Sequence, residues 1–411
     1  MALYAFDGTW NSDEDDPKVD TNVVRFSELY LDKNKVEYVS GVGTRLGKLG
    51  EILGGLFGSG GRTRISEMYD ELCKNWEAGD QVIDIIGFSR GAALAVHFAN
   101  KIGEDGVKLR DGTIDKAKIR FLGLWDIVGS FGLSLDTIVN FQDINLGWNI
   151  DTIDGCAEHC FHAMALDERR ETFNVTRLDE ENRCDKVSEV WFRGVHSDIG
   201  GGNENEARSN IALQWMLEQG RACGLTFDET KAKLPRYSKV NRFAPISENK
   251  DVKTDPRRKV GQGGEIHPSA QPIELAIGES HECEVLAKHK YNWSGVHVLK
   301  GGSYTCTVAD GDTWKDGGME CGPAGWKTKE LPWYKEGVVD FAERFRRVEK
   351  ANWFALIGAL GDEDDELIVI GDEKKPFVVK EDADLYLFAN DMPSKYENND
   401  GSLIVTVTRT A

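Results

Sequence analysis

Residues 81–93 read QVIDIIGFSRGAA, and this stretch is the strongest indication of the fold in the first part of the chain. A mostly apolar run ends in Gly87-Phe88-Ser89-Arg90-Gly91, and a pattern of small residues typical of a helix follows. The stretch therefore predicts a buried strand, a sharp turn and a helix. A nucleophile elbow needs glycines two residues on either side of the nucleophile, here Ser89, because β-carbons at those positions would clash. The N-terminus of the following helix would stabilise a developing oxyanion. The alternative is a tight strand-to-helix turn without a chemical role.

Composition limits the classes of protein to which the chain can belong. A length of 411 residues favours two domains, and a formal net charge of −20 argues against nucleic acid or anionic lipid as an electrostatic partner. No apolar run is long enough to span a membrane. The opening MALYAFDGTWN lacks the basic and apolar regions of an export signal, so synthesis in the cytoplasm without a signal peptide is expected. Eight dispersed cysteines fit a reduced compartment.

Up to about residue 275 the chain alternates strands, glycine-containing turns and helices. Apolar strands are predicted at residues 3–6, 36–39, 82–86, 119–124 and 187–195. Helices are predicted at residues 65–76, 158–170 and 210–223, and after the elbow. This alternation predicts a doubly wound, mostly parallel α/β sheet for residues 1–275. The glycine-rich, apolar residues 46–61 are interpreted either as a flap over the site or as a plain loop.

From about residue 280 the pattern changes to short alternating runs separated by Gly, Asp and Asn. Such runs are predicted as strands at residues 296–299, 303–308, 353–357, 366–370, 377–379, 384–388 and 402–407. This spacing is typical of an all-β sandwich, which we predict for residues 280–411.

Each group that acyl transfer requires could come from a strand end of the first domain. Ser89 is the candidate nucleophile, His196 the candidate base and Asp126 the candidate acid that orients it. Their order along the chain is that of α/β-hydrolases. The backbone N–H of Arg90, together with one from Gly8 or Thr9, would form the oxyanion hole.

Other assignments stay open. Asp198 could act as the acid with His267 as the base, and either aspartate could simply brace its own glycine turn. The segment CAEHCFH at 156–162 offers four possible metal ligands, although His159 and Cys160 would face different directions on a helix.

Several ordered motifs resemble one known family over roughly residues 1–275. These motifs are FDGTWN (6–11), SGVGT (40–44), GFSRGA (87–92), WDIVGS (125–130), ALDERR (165–170), GVHSDIGGG (194–202) and the shorter IHPS (266–269). Together they are similar to the α/β-hydrolase family that contains the type VI secretion phospholipase effectors. The resemblance implies an α/β-hydrolase fold and hydrolysis of phospholipid acyl esters without a cofactor. Ser89, Asp126 and His196 stand where that family has its catalytic serine, aspartate and histidine.

The C-terminal part resembles the PA-I type galactophilic lectins, which bind calcium. The segment FANDMPSKYENNDGS at 388–402 and the strand after it are similar to the calcium loop of those lectins. The resemblance implies calcium held by the side chains of Asp391, Asn398 and Asn399, and by backbone oxygens of Lys395 and of a loop near Lys315. No histidine follows His297, so the sugar-contacting histidine of those lectins has no counterpart.

The sequence therefore predicts a serine lipase acting on phospholipid, with a C-terminal domain directed to a glycan. Delivery into a target cell by a contact-dependent secretion system would imply a carrier in that machinery and an immunity protein. One alternative is a calcium-dependent carbohydrate-binding protein whose hydrolase scaffold is inactive. Another is a hydrolase of small esters.

Overall fold

The computed structural model describes residues 1–8, 20–31, 36–39, 59–129, 157–170, 173–178, 186–248, 258, 260, 264–327, 343–362, 364 and 366–411. The chain forms two compact units. The first comprises Met1–Arg242 with Asn249–Ala270, and the second comprises Phe243–Glu248 with Gln271–Ala411. The functional domain limits expected from the sequence, 1–275 and 280–411, stay predictions.

The first unit is built on a seven-stranded sheet in which every pairing is parallel. The strands of this unit are β1 (Ala2–Phe6), β2 (Val36–Val39), β3 (Ile83–Phe88), β4 (Val107–Lys108), β5 (Ile114–Asp115), β6 (Ile119–Trp125), β7 (Cys160–Ala165), β8 (Val187–Phe192) and β9 (Glu265–Ile266). The order across the sheet is β2-β1-β3-β6-β7-β8-β9, while β4 and β5 form a separate hairpin. The parallel sheet predicted from the sequence is therefore present.

Helices cover both faces of this sheet. The helices of the unit are α1 (Asn22–Leu29), α2 (Ser59–Glu77), α3 (Arg90–Asp105), α4 (His196–Gly200), α5 (Glu206–Ala222) and α6 (Pro235–Ser238). Successive residues of β1 point to opposite faces, so Tyr4 and Phe6 pack with α2 and α3 whereas Leu3 and Ala5 pack with α1 and α5. Both faces are apolar because both are buried, which is the rule for parallel sheets.

The strand order reverses at β1, which has β2 on one side and β3 on the other. In open parallel sheets the carboxyl ends of the strands beside such a reversal form a crevice where ligands bind. Asp7, Ser89 and Asp126 directly follow β1, β3 and β6, and His196 lies shortly after β8. The fold therefore collects the residues that the sequence singled out along one edge.

The helix predicted at residues 158–170 was wrong. Residues 158–170 do not form a helix; Cys160–Ala165 are the buried strand β7, paired on both sides with β6 and β8. Alanine and methionine favour helices, but burial between two strands overrides that propensity. The loop predicted at 46–61 lies outside the described residues up to position 58, and its last three residues, from Ser59, begin α2.

The second unit consists of β-sheets, and its described residues include no α-helix. Its strands are β10 (Ile273–Glu274), β11 (Ser280–Leu286), β12 (Asn292–Val298), β13 (Ser303–Val308), β14 (Trp314–Asp316), β15 (Met319–Cys321), β16 (Leu356–Leu360), β17 (Leu367–Val369), β18 (Phe377–Val378), β19 (Ala383–Ala389), β20 (Asn399–Asp400) and β21 (Ser402–Arg409).

These strands make three sheets, ordered β10-β12-β19-β16-β17, β11-β21-β13-β18 and β15-β14-β20. One apolar core contains side chains from the first two sheets, including Val296 and Leu387 from one, and Val285 and Val405 from the other. The strand predicted at 353–357 begins later, at Leu356, because Phe354 has a φ of 59° that a regular strand does not accept. Across the part of the chain that the structure describes, no helix is both long and apolar enough to cross a membrane.

Candidate active site

Ser89 lies on a sharp turn between β3 and α3. Its backbone has φ 60° and ψ −128°, a conformation that costs a non-glycine residue roughly 1–3 kcal/mol. A β-carbon on Gly87 would lie 2.7 Å from Cα of Ala92, and one on Gly91 would lie 2.4 Å from the carbonyl oxygen of Asp7. Both glycines are therefore required by close backbone approach. The turn has the local geometry that the sequence predicted for a nucleophile elbow.

The turn after β6 is bonded directly to this elbow. The Ser89 amide donates to the carbonyl of Trp125 at 3.0 Å, and the Val128 amide donates to the carbonyl of Ser89 at 3.3 Å. Asp126, between those two partners, has a φ of 40°. Two strained residues on neighbouring strand ends thus hold each other in register, which is common where a site is organised before its ligand binds.

His196 and Asp126 form a buried pair beside the elbow. Nδ1 of His196 lies 2.6 Å from Oδ2 of Asp126. The imidazole stacks on Phe88, with ring centroids 4.6 Å apart, and meets the edge of Phe173 at 5.0 Å. The Ser89 hydroxyl makes no hydrogen bond to another described residue. Such a contact often tightens only when substrate is bound.

The Asp126 carboxylate is held by three donors. Besides His196, Oδ1 accepts the Ala165 amide at 2.9 Å and Nη1 of Arg258 at 2.7 Å. Burial alone would raise the pKa of Asp126, but the Arg258 guanidinium and His196 outweigh it and hold that pKa well below its usual range. Asp126 is therefore an anion at neutral pH.

Burial lowers the pKa of His196 below its ordinary 6.5, although Asp126 acts in the opposite direction. The imidazole is therefore neutral at pH 7. An ionised Asp126 can only accept, so the ring proton is assigned to Nδ1 by the hydrogen-bond network. This leaves a lone pair on Nε2, as a general base requires.

The backbone of His196 is held by a second buried carboxylate. Its amide donates to Oε2 of Glu168 at 3.1 Å, and Nη2 of Arg170 lies 3.0 Å from the same oxygen. Burial raises the pKa of Glu168, but the bonds and charge of Arg170 bring it below its usual value. Glu168 therefore remains charged and fixes the start of α4.

The predicted oxyanion donors differ in availability. The Arg90 amide has no acceptor among the described residues and lies at the first position of α3. A β-carbon on Gly8 would come 3.3 Å from Cβ of Ser89, so Gly8 borders the nucleophile, but its own amide donates to Oδ1 of Asp7 at 2.6 Å. Thr9 lies outside the described residues. Of the predicted donors that the structure describes, Arg90 is therefore the one whose amide is not already bonded.

The alternative pair, Asp198 and His267, is not joined by a hydrogen bond in the described structure. Oδ2 of Asp198 accepts the Val195 amide at 3.2 Å, and Oδ1 accepts two amide side chains, those of Asn203 and Asn205. His267 stacks on Phe192 and lies 2.8 Å from Oγ of Ser269. Asp198 therefore braces the loops around α4, the alternative role that its glycine-rich surroundings suggested.

The histidine and cysteine segment is divided by its strand conformation. Cys156 lies outside the described residues, and Cys160 and His162 belong to β7 while His159 precedes it. His162 is fully buried and lies 3.0 Å from Oε1 of Glu189. Within the described ranges no three His, Cys, Asp or Glu side chains are grouped to hold a metal ion.

In the second unit, the residues of the predicted calcium loop come together with one that the sequence reasoning missed. Oδ2 of Asp391 accepts Nδ2 of Asn399 at 3.0 Å. Nδ2 of Asn398 donates to Oδ1 of Asp316 at 3.2 Å, and the carbonyl of Lys395 accepts the Asn398 amide at 3.2 Å. Strand β14, which contains Lys315, pairs with β20 so that Asp316 lies opposite Asn399.

The electrostatics of this cluster match the needs of a cation. Oδ1 of Asn399 is buried and has no hydrogen-bond partner among the residues that the structure describes. Burial, and then the charge of Asp391, raise the pKa of Asp316 to about 6, and burial raises the pKa of Asp391 as well. Two carboxylates and an unpaired amide oxygen are the hard oxygen donors that calcium prefers, so the donor set fits that ion.

Sequence reasoning missed Arg258 and Asp316 for different reasons. Arg258 lies in a polar stretch that carries no periodic pattern, and only the fold brings it to Asp126. Asp316 stands next to Lys315, the position at which a backbone ligand was expected. Glu168 had a signal, since it lies inside the motif ALDERR, but nothing in that motif says that the carboxylate binds the His196 amide.

Residues 3–113 and 109–219 match the family model described as "T6SS, Phospholipase effector Tle1-like, catalytic domain". No curated protein matches the chain significantly. Among solved structures, an uncharacterised protein from Pseudomonas aeruginosa is 21% identical with a TM-score of 0.40, over 58% of this chain and 48% of its own. The chain thus spans about half the length of that protein.

Two further solved structures are similar at low sequence identity. The Tle1 effector bound to the VgrG spike from the type 6 secretion system is 18% identical with a TM-score of 0.41, over 59% of this chain and 77% of its own. The N-terminal domain of EclA, a PllA-like lectin, is 22% identical with a TM-score of 0.24, over 31% of this chain and 95% of its own. Because the family model matches more than half of the 411 residues, the chain belongs to the Tle1-like family of type VI secretion phospholipase effectors.

Proposed function

We propose that the protein is a serine hydrolase that cleaves acyl esters of phospholipids, with Ser89 as nucleophile, His196 as general base and Asp126 as the acid that orients it. The observation that carries this proposal is the buried 2.6 Å pair of His196 and Asp126, which lies beside a strained elbow holding Ser89. The parallel sheet and this arrangement lead us to assign the first unit to the α/β-hydrolase fold. Family membership favours phospholipid as the substrate.

The proposed reaction needs no cofactor. Oγ of Ser89 attacks the ester carbonyl carbon while Nε2 of His196 takes the hydroxyl proton, and Asp126 stabilises the imidazolium that forms. The oxyanion accepts a hydrogen bond from the Arg90 amide, as an N–H at this place is suited to do. Collapse of the tetrahedral intermediate breaks the ester bond, and the imidazolium returns its proton to the leaving lysophospholipid oxygen. Water then repeats the two steps on the acyl-enzyme and releases a fatty acid.

A direct test combines product analysis with active-site labelling. The wild-type protein is expected to release fatty acid from mixed phospholipid vesicles and to form a covalent adduct with a fluorophosphonate probe at Ser89, located by mass spectrometry. Prior labelling should abolish lipid release, because the probe occupies the nucleophile. Activity on short-chain esters but not on vesicles would favour the small-ester alternative. Absence of both adduct and release would contradict a serine mechanism.

The dependence of kcat/KM on pH is expected to report the His196 environment. A protonated imidazole cannot act as base, so activity is present above its pKa and is lost as pH falls through it. Because burial lowers that pKa, the midpoint of the acid limb should lie below 6.5. A soluble short-chain ester makes the profile measurable without changes in vesicle charge. A midpoint above 6.5 would contradict a buried neutral base.

For the second unit we propose a β-sandwich that binds calcium through Asp391, Asn398, Asn399 and the Lys395 carbonyl, with Asp316 nearby. The Asn399 Oδ1, which has no hydrogen-bond partner among the described residues, the buried carboxylate of Asp391 and the half-buried carboxylate of Asp316 support this. The ion would supply a place at which sugar hydroxyls coordinate, so the unit would direct the enzyme to a glycan. Family membership favours the hydrolase over a carbohydrate-binding protein with an inactive scaffold.

Calcium is expected to raise the melting temperature of the wild-type protein by about 5–10 °C at a concentration near 100 times the dissociation constant. Asp391→Asn should lose most of this rise, because it removes one formal charge from the donor set without changing side-chain size. Asp310→Asn is the matched control, since the Asp310 side chain is 99% exposed. An equal rise in all three proteins would exclude Asp391 as a ligand.

We also propose delivery into target cells by the type VI secretion machinery, in line with the family. A carrier on the secretion spike and an immunity protein in the producing cell would then be the partners. Killing of a neighbouring strain by producer cells, abolished when the secretion machinery is deleted, would test this delivery. Killing that persists without the machinery would contradict it.

A further inference from the structure

We propose that His162 is a positioning residue that holds the turn carrying Asp126, an inference that rests on the proposed function. His162 lies on β7, fully buried, and neither the nucleophile nor the base touches it among the described contacts. Its Nε2 accepts the backbone amide of Ile127 at 3.1 Å, directly after Asp126. A buried histidine is thus the acceptor for a backbone amide just beyond the end of β6.

The tautomer of His162 follows from its two partners. A backbone amide can only donate, so Nε2 must be unprotonated and the proton lies on Nδ1. Nδ1 therefore donates to Oε1 of Glu189, 3.0 Å away on the neighbouring strand β8. Glu189 also accepts the Leu178 amide at 2.8 Å and Nε of Arg177 at 2.6 Å. This network leaves the imidazole one orientation, with its acceptor nitrogen facing the turn.

A second segment, residues 176–178, binds the other side of the same turn. The Thr176 amide donates to the Ile127 carbonyl at 2.8 Å, and the Gly129 amide donates to Oγ of Thr176 at 3.1 Å. Arg177 and Leu178 follow Thr176 directly in this segment, and both donate to Glu189. Glu189 is therefore the common anchor for both sides of the turn.

The geometry of the turn matters to two proposed catalytic groups. Asp126 stands in a left-handed conformation, φ 40°, so its carboxylate direction depends on how the following amide is held. The next residue but one, Val128, donates to the Ser89 carbonyl. Loss of the Ile127 anchor would shift both the partner of His196 and the support of the elbow.

Two polar substitutions of His162 distinguish a positioning role from a role in which the side chain only fills space in the core. His162→Gln can place an amide oxygen near the position of Nε2 and keep the Ile127 bond. His162→Asn can place an amide N–H near the position of Nδ1, so it keeps the Glu189 bond but does not reach Ile127. We expect His162→Asn to lower kcat about 10- to 100-fold with KM unchanged, as small displacements of catalytic groups do, and His162→Gln to recover most of it. Equal kcat values, or a lower value for His162→Gln, would overturn the assignment.

The matched control is His159→Asn, the same substitution on an exposed histidine just before β7, which should retain wild-type kcat. A readout independent of turnover is the proton resonance of the His196 Nδ1–H bond to Asp126. It should shift in His162→Asn and stay in place in His162→Gln. If the wild type cleaves no lipid, the proposed function fails, yet this resonance still decides the positioning role: the same resonance in both variants would overturn it.

Discussion

Ser89→Ala is expected to reduce fatty-acid release from phospholipid vesicles by about 10⁴- to 10⁶-fold, the range that loss of a serine nucleophile produces in enzymes of this mechanism. The effect is large because Oγ forms the covalent bond to the acyl group, and without it His196 has no hydroxyl proton to take. Stability should change little, since alanine keeps the β-carbon and meets the same strained φ of 60°. Release measured by mass spectrometry at matched protein concentration checks the prediction.

Ser238→Ala is the matched control. It makes the same change in the first unit, on an exposed side chain whose hydroxyl only caps local carbonyls, so it should retain wild-type release. Adding or chelating calcium in each reaction shows whether the second unit affects the enzyme. A Ser89→Ala protein that releases fatty acid at the wild-type rate would exclude Ser89 as nucleophile.

Much of the first unit could be predicted because its strands are short apolar runs that end in glycine turns. The apolar runs and the turns that follow them were enough to predict the strands that end just before Ser89 and Asp126. The strand at 160–165 was missed because CFHAMA has no β-branched residue, and its conformation is imposed by pairing with β6 and β8. Such pairing is a property of the sheet, so no local window reveals it.

In the candidate site, likewise, some residues could be predicted from the sequence and others could not. Ser89, Asp126 and His196 follow strands and could be named from position and chemistry, and the structure brings Asp126 and His196 to 2.6 Å. Their supporting groups could not be named. Arg258 lies 132 positions from Asp126 in the sequence. Its partners among the described residues are one carboxylate oxygen and two backbone carbonyls, and no sequence pattern reveals such contacts.

Asp126→Asn is expected to lower kcat by about 10⁴-fold while leaving KM nearly unchanged. Asparagine can present an N–H to Nδ1 of His196, which would favour the wrong tautomer and place the proton on Nε2, where the lone pair is needed. The change also removes a carboxylate that raises the pKa of His196, so the acid limb of the residual activity should move to lower pH. Steady-state kinetics across pH measure both effects.

His267→Gln decides between the two possible pairs, because the alternative assignment makes His267 the base. Its Nδ1 binds Ser269 and its ring stacks on Phe192, so we expect near-wild-type kcat from this variant. A loss in His267→Gln as large as that in Ser89→Ala, together with an active Asp126→Asn protein, would transfer the role to Asp198 and His267. The buried charge on Asp126 argues against that outcome. Its carboxylate is held in place by Arg258 and Ala165 and still presents one oxygen to the imidazole beside the elbow.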